Sequence, residues 1–300
     1  MKFFKKQIES IFNILIPVLK IELIQRIMRS FGLHLPYYRF AEKLNYQGVV
    51  NFIVNEKKLH LQSYNKPFEM FIFWYGIFGY WEPLQLKLWS RLVLSADIVL
   101  DIGANTGIYS LIAQTNSLAS VYAFEPVPDV REMLIKNISL NHPSKIKVDS
   151  RLLGDHVGSQ TLYIPRSGWV DVASIDKNFA QNYLFGNKMQ ELVCQMTTVD
   201  DFLNDLQLKN NERILCKIDV EGAEEMVLTG MIDSIQKRNI TFTMELLNDN
   251  YFAKVSSVLP NKFSIYAIDE IAHKIYKSDH FVEGATNYLC TAEDVSNRII

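Results

Sequence analysis

Short apolar runs alternate, after residue 94, with segments in which apolar residues recur every three or four positions. The apolar runs predict buried β-strands, and the three-and-four spacing predicts amphipathic helices. Strands that alternate with helices are typical of βαβ units, which build a mostly parallel sheet covered by helices on both faces. The predicted strands of this sheet are, in chain order, IVLDIG, SVYAFEP, IKVDSRLLGD, ILCKIDVEG, ITFTMELL, KFSIYAI and TNYLCTA.

Two further strands are predicted between the third and fourth strands of this sheet. They are TLYIP and ELVCQMTTV, and the polar loop that joins them contains Trp169. KFSIYAI and TNYLCTA are predicted to form an antiparallel pair at the C-terminal edge. The pattern therefore predicts an α/β fold with a mostly parallel seven-stranded sheet, an antiparallel C-terminal edge strand and helices on both faces.

A helical N-terminal extension is predicted over residues 1–44, followed by one domain over residues 45–300 whose core begins near residue 80. Apolar residues of the first helix recur at helical spacing: Ile8, Ile11, Phe12, Leu15 and Leu19. Charged residues from Lys20 onward end this run well short of the roughly 18 residues that a membrane-spanning helix needs. A helix docked on the protein body or on a second subunit is favoured over a helix lying on a membrane surface. Peripheral membrane contact through residues 1–30 and a homo-oligomer both stay open.

Three features are predicted between the extension and the α/β region. Residues 49–63 alternate apolar and polar side chains on two arms around a polar turn, which predicts a hairpin. Residues 68–81 contain eight aromatic side chains, for which burial in a core is the favoured interpretation. A helix is predicted to begin at Pro83.

Charge and cysteine content narrow the class of protein. The chain has 31 basic and 33 acidic side chains, so its overall field does not attract a polyanion and a nucleic-acid partner is not expected. Cys194, Cys216 and Cys290 are far apart and odd in number, which favours neither a disulfide framework nor a zinc site. We interpret this cysteine content as that of a protein in a reducing, cytoplasmic compartment.

The segment DIGANTG, residues 101–107, follows the first strand of the predicted sheet, where open parallel sheets bind ligands. Gly103 and Gly107 let the backbone approach a ligand closely. Asn105 stands where many such loops have a third glycine, and asparagine tolerates the left-handed angles needed there. The spacing differs from the G-x-G-x-x-G of dinucleotide enzymes, so a nicotinamide or flavin cofactor is not favoured.

Two carboxylates follow the next strands. Glu125 ends the second strand and precedes Pro126, at the place where a carboxylate accepts hydrogen bonds from both hydroxyls of a ribose. Asp155 follows the third strand, where we expect it to face an adenine amino group. The neighbouring His156 is interpreted as a surface residue rather than a catalyst.

Four segments together resemble the FkbM-type family of class I S-adenosylmethionine-dependent methyltransferases. They are VLDIGANTGIYSL, YAFEPVPDVREMLIKNISLN, TTVDDF and CKIDVEGAE. The resemblance implies a Rossmann-like fold, S-adenosylmethionine as cofactor, and methyl transfer to a hydroxyl oxygen, often on a sugar, glycan or secondary metabolite. It also implies a role for each matching residue: Asp101, Gly103, Asn105, Gly107 and Glu125 bind the cofactor, and Asp219 and Glu221 lie at the reaction end. The acceptor is not inherited, because family members differ widely in it.

Asp219 is the first candidate for the base that such a reaction needs. An aliphatic hydroxyl is a poor nucleophile unless its proton is removed as the new bond forms. The [Asp/Asn]-Pro-Pro-[Tyr/Phe] loop that is typical of nitrogen methylation is replaced here by DVEG, which favours oxygen. Glu221 and Glu245 are the other catalytic candidates. No metal is predicted, although Asp219, Glu221 and Glu245 could alternatively hold Mg²⁺.

Candidate acceptor contacts are Trp81, Glu82 and Trp169. An aromatic ring can stack on a sugar face, a carboxylate can bind sugar hydroxyls, and the loop that contains Trp169 is predicted to cover the site as a lid. Two functions other than small-molecule methylation are compatible with such a fold: a non-catalytic scaffold that keeps the fold, and a nucleic-acid methyltransferase. The intact cofactor residues argue against the first, and the net charge of -2 and DVEG argue against the second.

Overall fold

The structure is a computed structural model that describes residues 19, 22–30, 46–64, 66–142, 145–165, 173–182, 188–208 and 211–293. The chain divides into two compact units, residues 1–83 and residues 84–300. The predicted boundary at residue 44 stays a prediction. The apolar helix predicted over residues 8–19 lies almost entirely outside the described residues.

The described residues of the first unit form a helix, a hairpin and a second helix. Helix α1 spans Glu22–Ser30, and strands β1 (Val49–Val54) and β2 (Lys57–Gln62) pair antiparallel, which confirms the predicted hairpin. Asn55 and Glu56 form its turn with positive φ angles of 48° and 63°, as tight two-residue hairpin turns require. Helix α2 spans Pro67–Tyr75.

The aromatic stretch of this unit is only partly buried. Phe71, Phe73 and Trp74 are buried, as expected for core aromatics, whereas Tyr80 is 45% and Trp81 43% exposed. Trp81 stacks near Phe71, with ring centroids 6.2 Å apart. The burial expected for the stretch therefore does not extend to its last two rings.

The second unit alternates strands and helices as predicted. Its helices are α3 (Pro83–Leu92), α4 (Ile108–Ala113), α5 (Pro128–Ser139), α6 (Lys177–Gln181), α7 (Val199–Asp205), α8 (Glu224–Thr229), α9 (Ile232–Lys237) and α10 (Asp249–Val258). Its strands are β3 (Ile98–Ile102), β4 (Ser120–Phe124), β5 (Ile146–Asp149), β6 (Leu152–Leu153), β7 (Gly158–Pro165), β8 (Met189–Thr197), β9 (Arg213–Ile218), β10 (Asn239–Glu245), β11 (Ser264–Asp269), β12 (Lys274–Lys277) and β13 (Asn287–Thr291).

The main sheet has the strand order β12-β11-β13-β10-β9-β3-β4-β5. Strands β5, β4, β3, β9 and β10 are parallel, and β13 runs antiparallel between β10 and β11. This arrangement confirms the predicted α/β class with a mostly parallel sheet. Within the described residues the sheet has eight strands rather than seven, because β12 folds back on β11 as an additional hairpin strand that its short, exposed sequence did not reveal.

The third predicted strand, IKVDSRLLGD, is wrong as a single element. Asp149 Oδ1 accepts a hydrogen bond from the backbone of Arg151, 2.9 Å away, and the chain turns there. β5 therefore ends at Asp149, and β6 joins β7 and β8 in a separate three-stranded sheet. The predicted strands TLYIP and ELVCQMTTV are confirmed as β7 and β8, but this second sheet was not predicted.

The central strands and the three cysteines of this unit are buried. The inner strands β3 and β9 are buried along almost their whole length. Their side chains point alternately to the two faces of the sheet, and both faces are covered. Cys194, Cys216 and Cys290 are buried and unpaired, and burial raises the pKa of each thiol. Within the described residues, no helix has the length and apolar character needed to cross a bilayer.

Candidate active site

A cleft of about 800 Å³, counted with its solvent-open part, lies at the carboxyl ends of β3, β4 and β9. Parallel strands bring the loops at their carboxyl ends to one edge of the sheet, so this is the expected place for a ligand. The polar lining comes from the segments that follow β3, β4, β5 and β9: Gly103, Asn105, Glu125, Arg151, Asp219 and Glu221. The remaining lining is largely apolar.

The glycine loop after β3 packs backbone against backbone. Gly103 has φ +80°, and a Cβ atom at this position would lie 1.9 Å from the carbonyl oxygen of Asp219. The Asp219 amide donates in turn to the carbonyl of Ile102 at 3.0 Å. Asn105 has φ +51°, which confirms its expected left-handed conformation. Only glycine at position 103 permits the two loops to meet, so this position shapes the cleft directly.

Gly107 lies behind the cleft rather than on its wall. It has φ +97°, and a Cβ atom would lie 2.4 Å from Leu134 Cδ1 on α5. Gly107 is not among the cleft-lining residues. Its glycine is needed because the loop packs tightly against the helix, and direct contact with a ligand stays a prediction.

Glu125 forms a wall of the cleft and is only 6% exposed. One carboxylate oxygen accepts from the Asn105 amide and the other from the Val127 amide, each at 2.9 Å. These two bonds fix the carboxylate plane. Each carboxylate oxygen has two acceptor sites, so the group retains capacity for hydroxyl donors from a ligand.

The part of the cleft beyond Glu125 is apolar and closed by an ion pair. Its apolar lining includes Val127, Val130, Leu152, Leu153, Leu162, Ile175 and Met196. Arg151 lines the same region, and its guanidinium makes two-point contact with Asp149, with a shortest distance of 2.7 Å. The guanidinium also lies 5.7 Å from the ring centroid of Phe202. This slot suits a flat, weakly polar ring.

Asp101 is fully buried beneath the cleft and is not among its lining residues. Its Oδ2 atom accepts a hydrogen bond of 2.6 Å from Ser110 Oγ. Burial raises the pKa of Asp101 to about 6, although Ser110 and the charge of Lys217 act in the opposite direction. The structure thus gives Asp101 contacts that support the loop, and a direct cofactor contact stays a prediction.

Asp219 stands at the end of β9 with its side chain 37% exposed. Its Oδ2 atom accepts a 2.9 Å hydrogen bond from Lys217 Nζ. The Lys217 side chain is only 1% exposed, and its ammonium also lies 4.9 Å from the ring centroid of Tyr109. A buried ammonium requires a partner, and Asp219 supplies it while still facing the cleft.

Glu221 lines the cleft two residues after Asp219, in a backbone conformation with φ +54°. Ser174 Oγ donates to its carbonyl at 2.6 Å. Burial, followed by the like charges of Asp219, Glu245 and Glu224, raises the pKa of Glu221 to about 9. This carboxyl group is therefore protonated at neutral pH.

Glu224 anchors the turn that carries these two side chains. It is 2% exposed, and its Oε1 atom accepts from the amides of Val220 at 3.1 Å and Gly222 at 3.3 Å. Glu224 is also the first residue of α8, so its carboxylate lies in the first turn of that helix. Its neighbour Glu225 pairs with Lys254 instead, at 2.6 Å.

Asp155 and Glu245 are predicted site residues that do not line the cleft. Asp155 is exposed, bonded to His156 at 2.7 Å, and is not among the cleft-lining residues. Glu245 ends β10 close enough to act on the charge of Glu221, without lining the cleft. Trp169 lies outside the described residues, and Trp81 and Glu82 belong to the first unit, so their acceptor roles stay predictions.

Several contributors were not identified from the sequence. Arg151, Ser174 and the apolar slot come from segments that the strand pattern treats as ordinary sheet or loop. A site for a metal ion formed by three or more His, Cys, Asp or Glu side chains is not found among the described residues. Asp219, Glu221 and Glu245, the three carboxylates considered for Mg²⁺, do not form such a group.

Comparison with known proteins gives one family match and several distant relatives. A sequence model described as a methyltransferase FkbM domain matches residues 101–277. AMB antimetabolite synthetase AmbE of Pseudomonas aeruginosa is 28% identical over 248 residues, which are 71% of this chain but only 11% of that protein. Methyltransferase 1 of Beauveria bassiana is 26% identical over 189 residues, covering 57% of this chain and 73% of that protein. The solved structure of methyltransferase FkbM from Methylobacillus flagellatus is 15% identical with a TM-score of 0.38, covering 66% of this chain and 44% of that chain.

Proposed function

The chain belongs to the FkbM methyltransferase family, and on that premise we propose that it methylates a hydroxyl oxygen of a small molecule, such as a sugar, glycan or secondary metabolite. Its cofactor is S-adenosylmethionine. When bound, the cofactor supplies an electrophilic methyl group on a sulfonium leaving group. The protein must hold the acceptor in line and remove its proton.

The residues of the cleft fit this cofactor. Glu125 has a fixed, buried carboxylate that can bind the two ribose hydroxyls. Gly103 has no side chain, so the loop after β3 can lie directly against the turn after β9. The apolar slot closed by Arg151 suits the adenine ring. We assign adenine to this slot rather than to Asp155, which is exposed and outside the cleft lining.

Methylation on oxygen is supported by Asp219, whose half-exposed carboxylate lines the same cleft as Glu125. Its ion pair with Lys217 holds one oxygen atom and leaves the group oriented as a proton acceptor. The turn that follows has no proline pair to hold a planar nitrogen. A carboxylate is one of the side chains that can act as general base toward a hydroxyl acceptor.

The acceptor contacts that we propose are Trp81, Glu82 and Trp169. The exposed ring of Trp81 and the adjacent carboxyl of Glu82 have the chemistry with which proteins bind sugars. A Trp81→Ala variant should raise the KM of the acceptor with little change in cofactor affinity. An unchanged KM would remove Trp81 from the acceptor site.

The test of the proposed function uses cofactor carrying a ¹³C-labelled methyl group. Purified protein is incubated with it and with extracted glycans and metabolites, and the products are analysed by mass spectrometry and ¹³C NMR. The methyl chemical shift separates O-methyl from N-methyl and S-methyl products. We expect labelled O-methyl groups, and label found only on nitrogen would contradict the proposal.

The matched variants for this test are Asp219→Asn and Asp233→Asn. Asp219→Asn should lower turnover by about 100- to 10,000-fold, the usual contribution of a general base, with cofactor affinity nearly intact. Asp233 is exposed on α9 and paired with Lys237, so its variant controls for general loss of a carboxylate. Equal turnover in both variants would remove Asp219 from the base role.

A further inference from the structure

Asp219 and Glu221 line the same cleft, two residues apart, but their surroundings differ in charge. Asp219 has the buried ammonium of Lys217 at 2.9 Å. Glu221 is close to the negative charges of Asp219, Glu245 and Glu224. The positive charge of Lys217 opposes them but has a smaller effect on Glu221 than any of the three. Two carboxyl groups whose environments differ in this way take opposite roles in proton transfer.

The carboxyl group of Glu221 has no hydrogen-bond partner within the described residues, although it is half-buried. Its backbone is nonetheless fixed on both sides: Ser174 binds its carbonyl, and Glu224 binds the amides of Val220 and Gly222. A rigid backbone that presents an unpartnered carboxyl group to a cleft is a feature of ligand-binding positions. The missing partner is expected to come from the ligand.

We propose that Glu221 faces the cleft as a neutral carboxylic acid and donates a hydrogen bond to an acceptor oxygen adjacent to the hydroxyl that Asp219 deprotonates. This inference rests on the proposed hydroxyl methylation and names the acceptor class more closely. One carboxylate receives a proton and one carboxylic acid donates a hydrogen bond, so the pair recognises two neighbouring oxygens. Vicinal diols of sugars and other polyols meet that requirement, whereas an isolated hydroxyl does not.

The proton balance of the step assigns each group one role. The acceptor oxygen forms a bond to the methyl carbon while the carbon–sulfur bond breaks, and the electron pair of that bond stays on sulfur. The hydroxyl proton moves to Asp219 and leaves later to solvent. Glu221 keeps its proton throughout and returns unchanged, so it acts by positioning the acceptor.

The first test measures unfolding by urea as a function of pH in the full chain, without any acceptor. The pKa of Glu221 rises from 4.5 to about 9 on folding. The neutral carboxyl group therefore contributes to the free energy of unfolding fully below pH 4.5, and this contribution is lost as the pH rises to about 9. Glu221→Gln is neutral at every pH. Its urea midpoint should exceed that of the wild type by a margin that widens between about pH 5 and pH 9.

The matched control for this test is Glu225→Gln, which changes the neighbouring glutamate that pairs with Lys254 outside the cleft. Its midpoint difference from the wild type, measured at each pH, is the reference for Glu221→Gln. A margin for Glu221→Gln that widens no more with pH than this reference would overturn the neutral state assigned to Glu221.

The second test compares variants on a hydroxyl acceptor methylated by the wild type. Glu221→Gln keeps a hydrogen-bond donor and should lose only several-fold in turnover, against about 100-fold or more for Asp219→Asn. Glu221→Leu should raise the KM of the acceptor about tenfold. The wild-type KM should rise above pH 9, and this rise should be absent from Glu221→Gln.

The outcomes separate the two proposals. If the wild type methylates a hydroxyl but Glu221→Gln falls as far as Asp219→Asn, Glu221 is an ionised base and this inference fails alone. If acceptors lacking the neighbouring oxygen, such as deoxy sugars, react as well as the parent diol, the assigned acceptor class fails. If the wild type methylates only nitrogen, the proposed function fails and the acceptor role of Glu221 fails with it.

Discussion

Gly103 and Asp219 meet through their backbones, so at the scale of single residues the loop after β3 and the turn after β9 are in direct contact. No side chain mediates this contact, and neither residue can shift without displacing the other. The residue at position 103 therefore decides both the stability of the loop and the width of the cleft.

Gly103→Ala should destabilise the chain by about 2–4 kcal/mol, because the residue has φ +80° and its new Cβ atom would meet a carbonyl oxygen. Urea unfolding measures the change. Gly158→Ala is the control, since its Cβ atom would lie 3.3 Å from the ring of the exposed His156. A similar small effect in both variants would contradict the close approach.

Glu125→Ala should weaken S-adenosylmethionine binding about tenfold or more, because hydrogen bonds to a charged group each contribute about 1.5–3 kcal/mol. The variant also removes the acceptor for the Asn105 and Val127 amides. Isothermal titration calorimetry measures the affinity. Glu132→Ala, an exposed glutamate on α5, is the control, and equal affinities would remove Glu125 from the ribose position.

The positions of single residues around the cleft were predictable from the sequence because their signals are local. Gly103, Asn105 and Glu125 are identified by their positions after β3 and β4. Glu221 was identified only as one of several carboxylates, since its protonation depends on Glu245 and on the burial of the turn. Those contacts join residues that are distant in sequence.

At the scale of elements, hydrogen bonds join the start of α3 to the β11–β12 hairpin, which was not predicted from the sequence. Glu270, in the turn after β11, accepts hydrogen bonds from the amides of Leu84 and Gln85 at 2.9–3.0 Å. These amides have no partner within their own helix. The carboxylate thus caps α3 from a position 185 residues later in the chain.

Glu270→Ala should lower the free energy of unfolding by about 1–3 kcal/mol, because it leaves the first amides of α3 without their acceptor. Cofactor affinity should not change, since Glu270 does not line the cleft. Urea unfolding and calorimetry measure the two quantities. Glu283→Ala, an exposed glutamate nearby in sequence, is the control, and equal stability in both variants would contradict the capping role.

The order of elements was largely predictable, but their partners were not. Apolar runs identify β3, β4, β9 and β10 because both faces of a covered parallel sheet exclude water. The same runs do not state which sheet a strand joins. The turn between Asp149 and Arg151 diverts the chain into a second sheet through side-chain contacts that no periodicity records.

At the scale of the whole molecule, every residue that lines the cleft belongs to the unit formed by residues 84–300. Residues 84–300 expressed alone should therefore bind S-adenosylmethionine within about threefold of the affinity of the full chain. Calorimetry on both proteins tests this. If residues 84–300 fold, as judged by circular dichroism, but do not bind S-adenosylmethionine, the prediction that this unit alone forms the cofactor site is contradicted.

The three buried thiols should make the folded chain react slowly with alkylating and maleimide reagents, since the thiolate is the reactive form and burial raises the pKa of each thiol. A cysteine introduced at a chosen surface position can then carry a fluorophore or spin label without removal of the native three. Conversely, pulses of a thiol reagent followed by mass spectrometry count unfolded molecules directly, even in a mixture such as a cell lysate.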